Sequence, residues 1–517
     1  MFRRFSSLFE KSSIAAQNEA HGRGFHLGVG LVAFLTCYTV VATFGGAYVL
    51  LDPDTLWHIR VGTWILDNAQ LPTSDIYSHT ALGNPWIATD WLSEIVLAMA
   101  YRLGNWRAVV DVTALSCAAI AGMLCYYFAK TVRISVCVGM TAITLVLVSP
   151  HFLARPVIFS YVLLCAWMCI LMDIYDEKKW NKYSSFILIP LMVLWANTHG
   201  SFTLGLVLFY IFSGLAFLDY FLRRDFGPSR RIAVLVVGVS AAAFVTPYGF
   251  ASALMTPRLL NMKLSGRIQE WSAPDFQAHP LHLAFVVGTF VVIAFFGIRL
   301  RGPRLLILVV ISVLGLKYLR GLVMFSLLMP LILARPAAQR VRFLKAQDPS
   351  TVGPIDPVLT FLHRHAAVAP AVCLAIAVAA ALSPMQLAGA NPPGSVVPAA
   401  AMNFVKQADI KGNVFNSYGF GGYLIFLGIP TFIDGRTQLF DDAFLERYFR
   451  AISLVDIEDA FQLLNDYKVD WAILPPSAPF AKAMARSPDW NKAYADRYAV
   501  VLVRRHSDGA DNPGALN

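Results

Sequence analysis

The chain has 517 residues, 57% of them hydrophobic and only 14% charged, with a mean hydropathy of +0.57. That balance excludes an ordinary soluble protein. The formal net charge of +10 does not imply nucleic acid as a partner, because the basic residues sit in loops between apolar runs, where membrane topology alone places them.

Residues 1–26 are basic and amphipathic and are read as a cytoplasmic segment. No small-residue cleavage site follows, so the first apolar run is a retained span. Spans are expected at about 27–50, 107–129, 134–150, 156–174, 184–199, 202–222, 232–248, 281–298, 303–316, 321–334 and 366–384. This is a polytopic α-helical membrane protein of about eleven transmembrane helices. Arg3, Arg4 and Lys11 and the loops carrying Lys130 and Arg133, Lys178 to Lys182, Arg223 to Arg231, Arg299 to Arg304, and Arg335 to Lys345 form one set rich in Lys and Arg, and the alternate loops are poorer in them for their length. The rich set is therefore cytoplasmic, as is the N-terminus. The absence of an Asn-x-Ser/Thr sequon favours a bacterial inner membrane. All seven cysteines lie in apolar runs, which gives neither a disulfide framework nor a zinc spacing.

The unusual polar clusters all fall on the other, outer side. The first is the outer loop 51–106, with Asp52, Asp54 and His58 directly after the first span and Asp90 and Glu94 further on. It is too polar to span and too rich in Trp and Leu to be a floppy loop, so short helices lying on the membrane are expected. A carboxylate at such a span end can act as general base or hold a divalent cation; it can equally be a solvated helix end. Asp90 and Glu94 are spaced to share one helix face, as an acid/base pair or as its wet side. His58 is either a ligand or a hydrogen-bonded structural residue.

Later outer elements add Arg155, Asn197 and His199, Glu270, and the pair Lys317 and Arg320. Basic residues at outer span ends need a partner, either a lipid-linked phosphate or a carboxylate such as Asp54. Asn197 and His199 interrupt an apolar stretch, where polar groups are costly unless they line a cavity. Residues 385–396 form a linker. Residues 397–507 read as a small extracytoplasmic α/β domain, with strands at 413–416, 423–426, 431–433, 471–474 and 499–503 and helices at 440–451 and 455–467. Residues 508–517 read as a disordered tail. The run from Tyr418 to Tyr423 lacks the spacing and the following helix of a nucleotide-binding loop. Asp434 and Arg436 pair with each other, dock the domain on the membrane part, or, with Tyr423, meet an acceptor.

Three patterns carry a resemblance: Asp-Pro-Asp-x-x-Trp-His from Asp52, Pro-x-x-Asp-x-x-Ser from Pro72, and Trp-x-x-x-x-Trp-Leu-x-Glu from Trp86. With Arg155-Pro156, the segment Trp195 to Gly200, Glu270-Trp271, Tyr423 and Asp434-Gly-Arg436, the chain resembles the GT-C superfamily of polytopic glycosyltransferases. The resemblance implies an acidic catalytic residue just after the first span, a role as base falling to Asp54 with Asp52 beside it, and a divalent cation, Mg or Mn, at these two if any metal is used. It implies a polyprenyl-phosphate sugar donor whose phosphate Arg320, Lys317 or Arg155 would hold. A glycan, lipid or protein acceptor would be glycosylated on the outer face. A transporter or flippase for a lipid-linked glycan, or a non-catalytic subunit of a polysaccharide assembly, is the alternative; the absence of repeated halves speaks against the transporter.

Overall fold

The structure is a computed structural model that describes residues 24–181, 183–261, 272–345, 369–381 and 390–505. Six described helices are long and apolar enough to cross a membrane: α1 (Gly24–Phe44), α3 (Trp91–Ala129), α4 (Ile134–His151, its last turn tightened), α5 (Val157–Asp176), α7 (Phe202–Leu222) and α12 (Leu319–Arg340). Between them come α2 (Asp54–Asn68) and the shorter α6 (Leu188–Thr198), α8 (Phe226–Ala242), α9 (Phe250–Asn261), α10 (Pro280–Phe295) and α11 (Pro303–Lys317). Side chains such as Phe44, Leu222 and Phe295 stand more than 70% exposed on these helices, which suits lipid rather than water. The chain is a multi-pass membrane protein.

The described helices follow the order of the expected spans, with α9 unforeseen and two boundaries shifted. The first helix stops at Phe44, and the chain breaks at Gly45 before a four-residue helical turn. The helix expected over 232–248 runs from Phe226 to Ala242 instead. Of the expected 366–384 span, the helix Ala369–Ala381 (α13) is described; residues 1–23, Glu270 and the tail beyond 505 lie outside the described residues.

The outer loop holds two helical pieces, as its composition predicts. One is α2; the other is the start of α3, set off from the span by a break at Gly104 and Asn105, whose φ of 51° and ψ of −148° leave the helical region. Basic loops gather at one end of the bundle. There Lys130 pairs with Asp173 at 2.8 Å, and Asp176 accepts Arg304 at 2.7 Å and Arg335 at 3.0 Å. The Arg133 amide donates to the Leu344 carbonyl at 3.0 Å. At the opposite end Ala154 donates to Val49 at 2.8 Å and Ser93 to Thr198 at 2.7 Å. A continuous core of Leu124, Phe128, Trp167, Leu171, Trp195, Phe209 and Phe325 joins α3 to α7 and α12.

The C-terminal region begins with α14 (Ala399–Gln407) and contains a four-stranded sheet of order β1-β2-β4-β3. Strand β1 (Asn413–Asn416) runs parallel to β2 (Val469–Leu474), while β4 (Val500–Arg504) is antiparallel to β2 and to β3 (Trp490–Ala495). The β1 to β2 crossover carries α15 (Gly421–Leu427), α16 (Asp442–Ile452) and α17 (Ile457–Asp466), the latter two capped by Asp441 and Asp456. Helix α18 (Pro479–Met484) and β3 have no counterpart in the sequence reading.

Two expectations are corrected here. Residues 423–426 are helical, not a strand, and residues 431–433 make only an isolated parallel bridge, Ser78 to Thr431. The glycine run is thus followed by a helix of seven residues. A four-residue apolar run fits either state, and here packing decided. One core combines Trp57, Val61, Tyr77 and Trp86 of the outer loop with Phe415, Phe432, Tyr448 and Trp490 of the C-terminal region. Each such buried side chain contributes about 1.5–3 kcal/mol.

Removing the shared acceptor at the basic end should leave Arg304, nearly buried, without its carboxylate. Asp176→Ala is expected to lose about 3–5 kcal/mol, read as a lower melting temperature of the full chain in detergent. An unchanged melting temperature would mean that the ion-pair cluster does not hold these helix ends.

Candidate functional site

Asp54 is the first residue of α2, where a carboxylate meets the positive end of the helix dipole. The preceding Asp52 folds back, its Oδ1 accepting the Asp54 amide at 2.8 Å, which satisfies one of the donors a helix start leaves open. The Asp52 Oδ2 takes Nη1 of Arg155 at 2.6 Å, and the same nitrogen stands 3.9 Å from Asp54 Oδ2. Arg155 is delivered there by the tight turn before α5, tied to the first span through the Ala154 to Val49 bond. Trp57 donates its indole N–H to Asp54 Oδ1 at 3.0 Å.

One turn along α2, His58 is buried, and its Nδ1 lies 3.1 Å from Oε1 of the buried Glu94. The reason for this proximity is Gly62, a turn further on. A Cβ there would fall 2.0 Å from the Glu94 carbonyl oxygen and 2.9 Å from Ala98. Without one, α2 and the start of α3 touch, and His58 meets Glu94. The other carboxylate oxygen of Glu94 is buried without a hydrogen-bond partner among the described residues. Burial first, then the charges of Arg155 and His199, hold the His58 imidazole well below its usual range. Burial thus favours the neutral form of His58.

Asp52, Asp54, His58, Glu94 and Arg155 thus lie together. The other candidates sit elsewhere or are occupied. Asn197 donates to Val193 and Val245 at 2.8 Å each and accepts from the Trp91 indole at 3.1 Å, so it clamps three segments. His199 Nδ1 accepts the Ser201 amide at 3.0 Å. Asp90 precedes α3 and accepts from Thr89 at 3.0 Å. Lys317 and Arg320 flank the α11–α12 junction, with the Lys317 ammonium 5.0 Å above the Tyr318 ring. Tyr423 is half-buried on α15.

Asp434 and Arg436 do two of the three things expected of them. Arg436 is fully buried and forks onto Asp434, with Nε at 2.9 Å and Nη2 at 2.7 Å, while its Nη1 reaches Asp75 of the outer loop at 2.5 Å. Its guanidinium also lies 5.1 Å from the Tyr77 ring and 4.9 Å from that of Trp86. Burial pulls the Arg436 pKa down, but the Asp434 and Asp75 carboxylates more than reverse this and raise it. Asp75 entered the sequence analysis only as the Asp of the Pro-x-x-Asp-x-x-Ser pattern, with no role of its own. Its spacing to Ser78, whose amide and hydroxyl it accepts at 3.1 and 2.5 Å, is the signal that marks it as a turn-forming carboxylate. Further bonds run from Thr80 to the Phe432 carbonyl at 2.7 Å and between His79 and the Val414 carbonyl at 3.0 Å.

The donor set does not fit a resident divalent cation. Asp52 is committed to Arg155, and among the described residues no three His, Cys, Asp or Glu side chains converge.

No protein-family model matches the chain, and no curated protein is similar to it. Solved structures do match. The archaeal oligosaccharyltransferase AglB from Archaeoglobus fulgidus, in complex with an inhibitory peptide and a dolichol-phosphate, aligns at a TM-score of 0.53 and 10% identity, covering 87% of this chain and 69% of that one. ArnT from Cupriavidus metallidurans, bound to undecaprenyl phosphate, aligns at a TM-score of 0.50 and 14% identity over 93% of this chain and 99% of that one. Both are GT-C superfamily membrane glycosyltransferases. The chain has the GT-C fold. At these identities the likeness covers the architecture and leaves the chemistry to this chain's own residues.

The state of His58 has a measurable consequence. Its folded pKa is depressed, so on acidification the unfolded chain takes up a proton that the folded chain does not. Stability should therefore fall as pH drops from about 6.5, the unperturbed histidine value, toward the lower folded pKa. His58→Gln should flatten this part of the profile in melting experiments between pH 7.5 and 5. An unaltered slope would show that His58 titrates normally in the folded protein.

Proposed function

We propose that this GT-C protein is a membrane glycosyltransferase that moves a sugar from a polyprenyl-phosphate donor to an envelope glycan, lipid or protein acceptor. The observation that carries the reading is Asp54 at the N-terminus of α2, braced by Trp57 and beside the Asp52–Arg155 pair at the non-basic end of the helices. The polyprenyl and dolichol phosphates of the two structural relatives support the donor class. The reading includes eleven crossings, a cytoplasmic N-terminus, and a C-terminal domain over 397–507 on the outer face of an inner membrane.

In the reaction, the acceptor hydroxyl gives its proton to the Asp54 carboxylate as its oxygen forms the new bond to the anomeric carbon. The bond from that carbon to the phosphate oxygen breaks on the opposite side, which inverts the anomeric centre. The polyprenyl phosphate leaves with the bonding electrons. Arg155, which stands beside Asp54, supplies the positive charge that a departing phosphate requires, with Lys317 and Arg320 as the alternatives. Asp52 holds Arg155 and so keeps this guanidinium from collapsing onto the base. The buried His58–Glu94 pair supports the floor of the site from below.

Loss of a general base lowers rates by about 10²- to 10⁴-fold. Asp54→Asn, expressed in a deletion strain, should insert normally yet lose the same sugar from the envelope glycan and glycolipid mass profile as the empty vector. A wild-type profile from Asp54→Asn would remove Asp54 as base and favour the transporter or the non-catalytic subunit.

A further inference from the structure

Two glycine-bearing motifs of the C-terminal region give no chemical group to the proposed reaction, yet both touch the loop that carries its base. A Cβ built on Gly435 would stand 1.9 Å from Oδ1 of Asp54, 2.7 Å from its Cγ and 3.0 Å from the Trp57 indole nitrogen. Gly435 is not among the residues of positive φ, so the turn itself accepts an alanine. What the missing side chain provides is room for the Asp54 carboxylate.

The turn cannot retreat to make that room another way. Arg436 next to it is pinned by Asp434 and Asp75, and the Arg436 amide also donates to Asp434 Oδ1 at 2.9 Å. The contrast with the neighbouring glycine run is informative. A Cβ on Gly422 would meet the Pro53 carbonyl oxygen at 2.1 Å, which is backbone and cannot rotate aside, whereas one on Gly419 would meet nothing within 4 Å. At Gly435 the obstacle is the end of a side chain, which can swing away at little cost to the fold.

We propose that Gly435 is a positioning residue for Asp54. Its bare backbone and the Trp57 indole together hold the carboxylate in the one rotamer that turns Oδ2 toward Arg155. This rests on Asp54 being the base of the proposed reaction. It makes the C-terminal region a wall of the catalytic site.

The test compares full-length Gly435→Ala, Gly422→Ala, Gly419→Ala and Asp54→Asn in the deletion strain. It reads glycosylated product per inserted protein and the melting temperature of each purified chain. Gly435→Ala should melt as wild type does but form about a hundredfold less product, the scale of a misplaced catalytic group. Gly419→Ala should match wild type in both, and Gly422→Ala should lower the melting temperature. Full product from Gly435→Ala would overturn the proposal. So would a loss of product only in step with a loss of folded protein, which would make Gly435 a packing residue. Full product from Asp54→Asn would show that the base reading had failed, and the proposal would fall with it.

Discussion

Arg436 is the interaction on which the arrangement of the outer end depends. A guanidinium removed from water is several kcal/mol unfavourable unless its donors are matched. Here two carboxylates match them from different parts of the chain, Asp434 two residues away and Asp75 from the outer loop 361 positions earlier. The Tyr77 and Trp86 rings add to the enclosure. The pair with Asp434 shapes the turn, and the pair with Asp75 joins that turn to the outer loop. A buried ion pair is weak evidence for stability and better evidence for a unique geometry. In this protein that geometry brings Gly435 against Asp54.

The outer loop and the C-terminal region share one apolar core and one set of hydrogen bonds. Helix α15 extends the contact, because Gly422 lies against the Pro53 carbonyl and Phe426 packs between Tyr101 and Trp106, which flank the break in α3. The start of α2, the break in α3 at Gly104 and Asn105, and the C-terminal region are thus joined by direct contacts around the base. Under the proposed reaction, the acceptor would meet the base along a boundary formed by both regions of the chain. The opposite end of the bundle repeats the physics with the charges exchanged, a single carboxylate, Asp176, gathering Arg304 and Arg335.

Much of this was legible in the sequence, and for identifiable reasons. Apolar runs and the Lys/Arg bias report directly on lipid and on which loops share an end, and the contacts of Lys130, Asp173, Asp176, Arg304 and Arg335 join loops that the bias had grouped. Asp52 and Asp54 stood out because a carboxylate pair at a span end is rare enough to need an explanation. The grouping with Arg155 followed from the need of an outer cation for a partner. What escaped was long-range. The local spacing marks Asp75 as a turn former but says nothing of its pairing with Arg436, and nothing local separates Asn197 as a clamp from Asn197 as a ligand until Trp91 is placed beside it. The segment 423–426 reads as a strand by composition but is helical, with Gly421 packed against the turn at Ile433 and Asp434 and Gly422 against the Pro53 carbonyl of the outer loop. Gly435 carries no side chain to read at all.

The most direct test of a site built jointly from the outer loop and the C-terminal region is hydrogen–deuterium exchange on full-length Arg436→Met, paired with the envelope glycan profile of the same variant. The account predicts that segments 72–86 and 430–440 lose protection together while the helical bundle keeps its own, and that the glycan product disappears. If both segments open and the product persists, the C-terminal region is not part of the catalytic site, and the outer loop works alone.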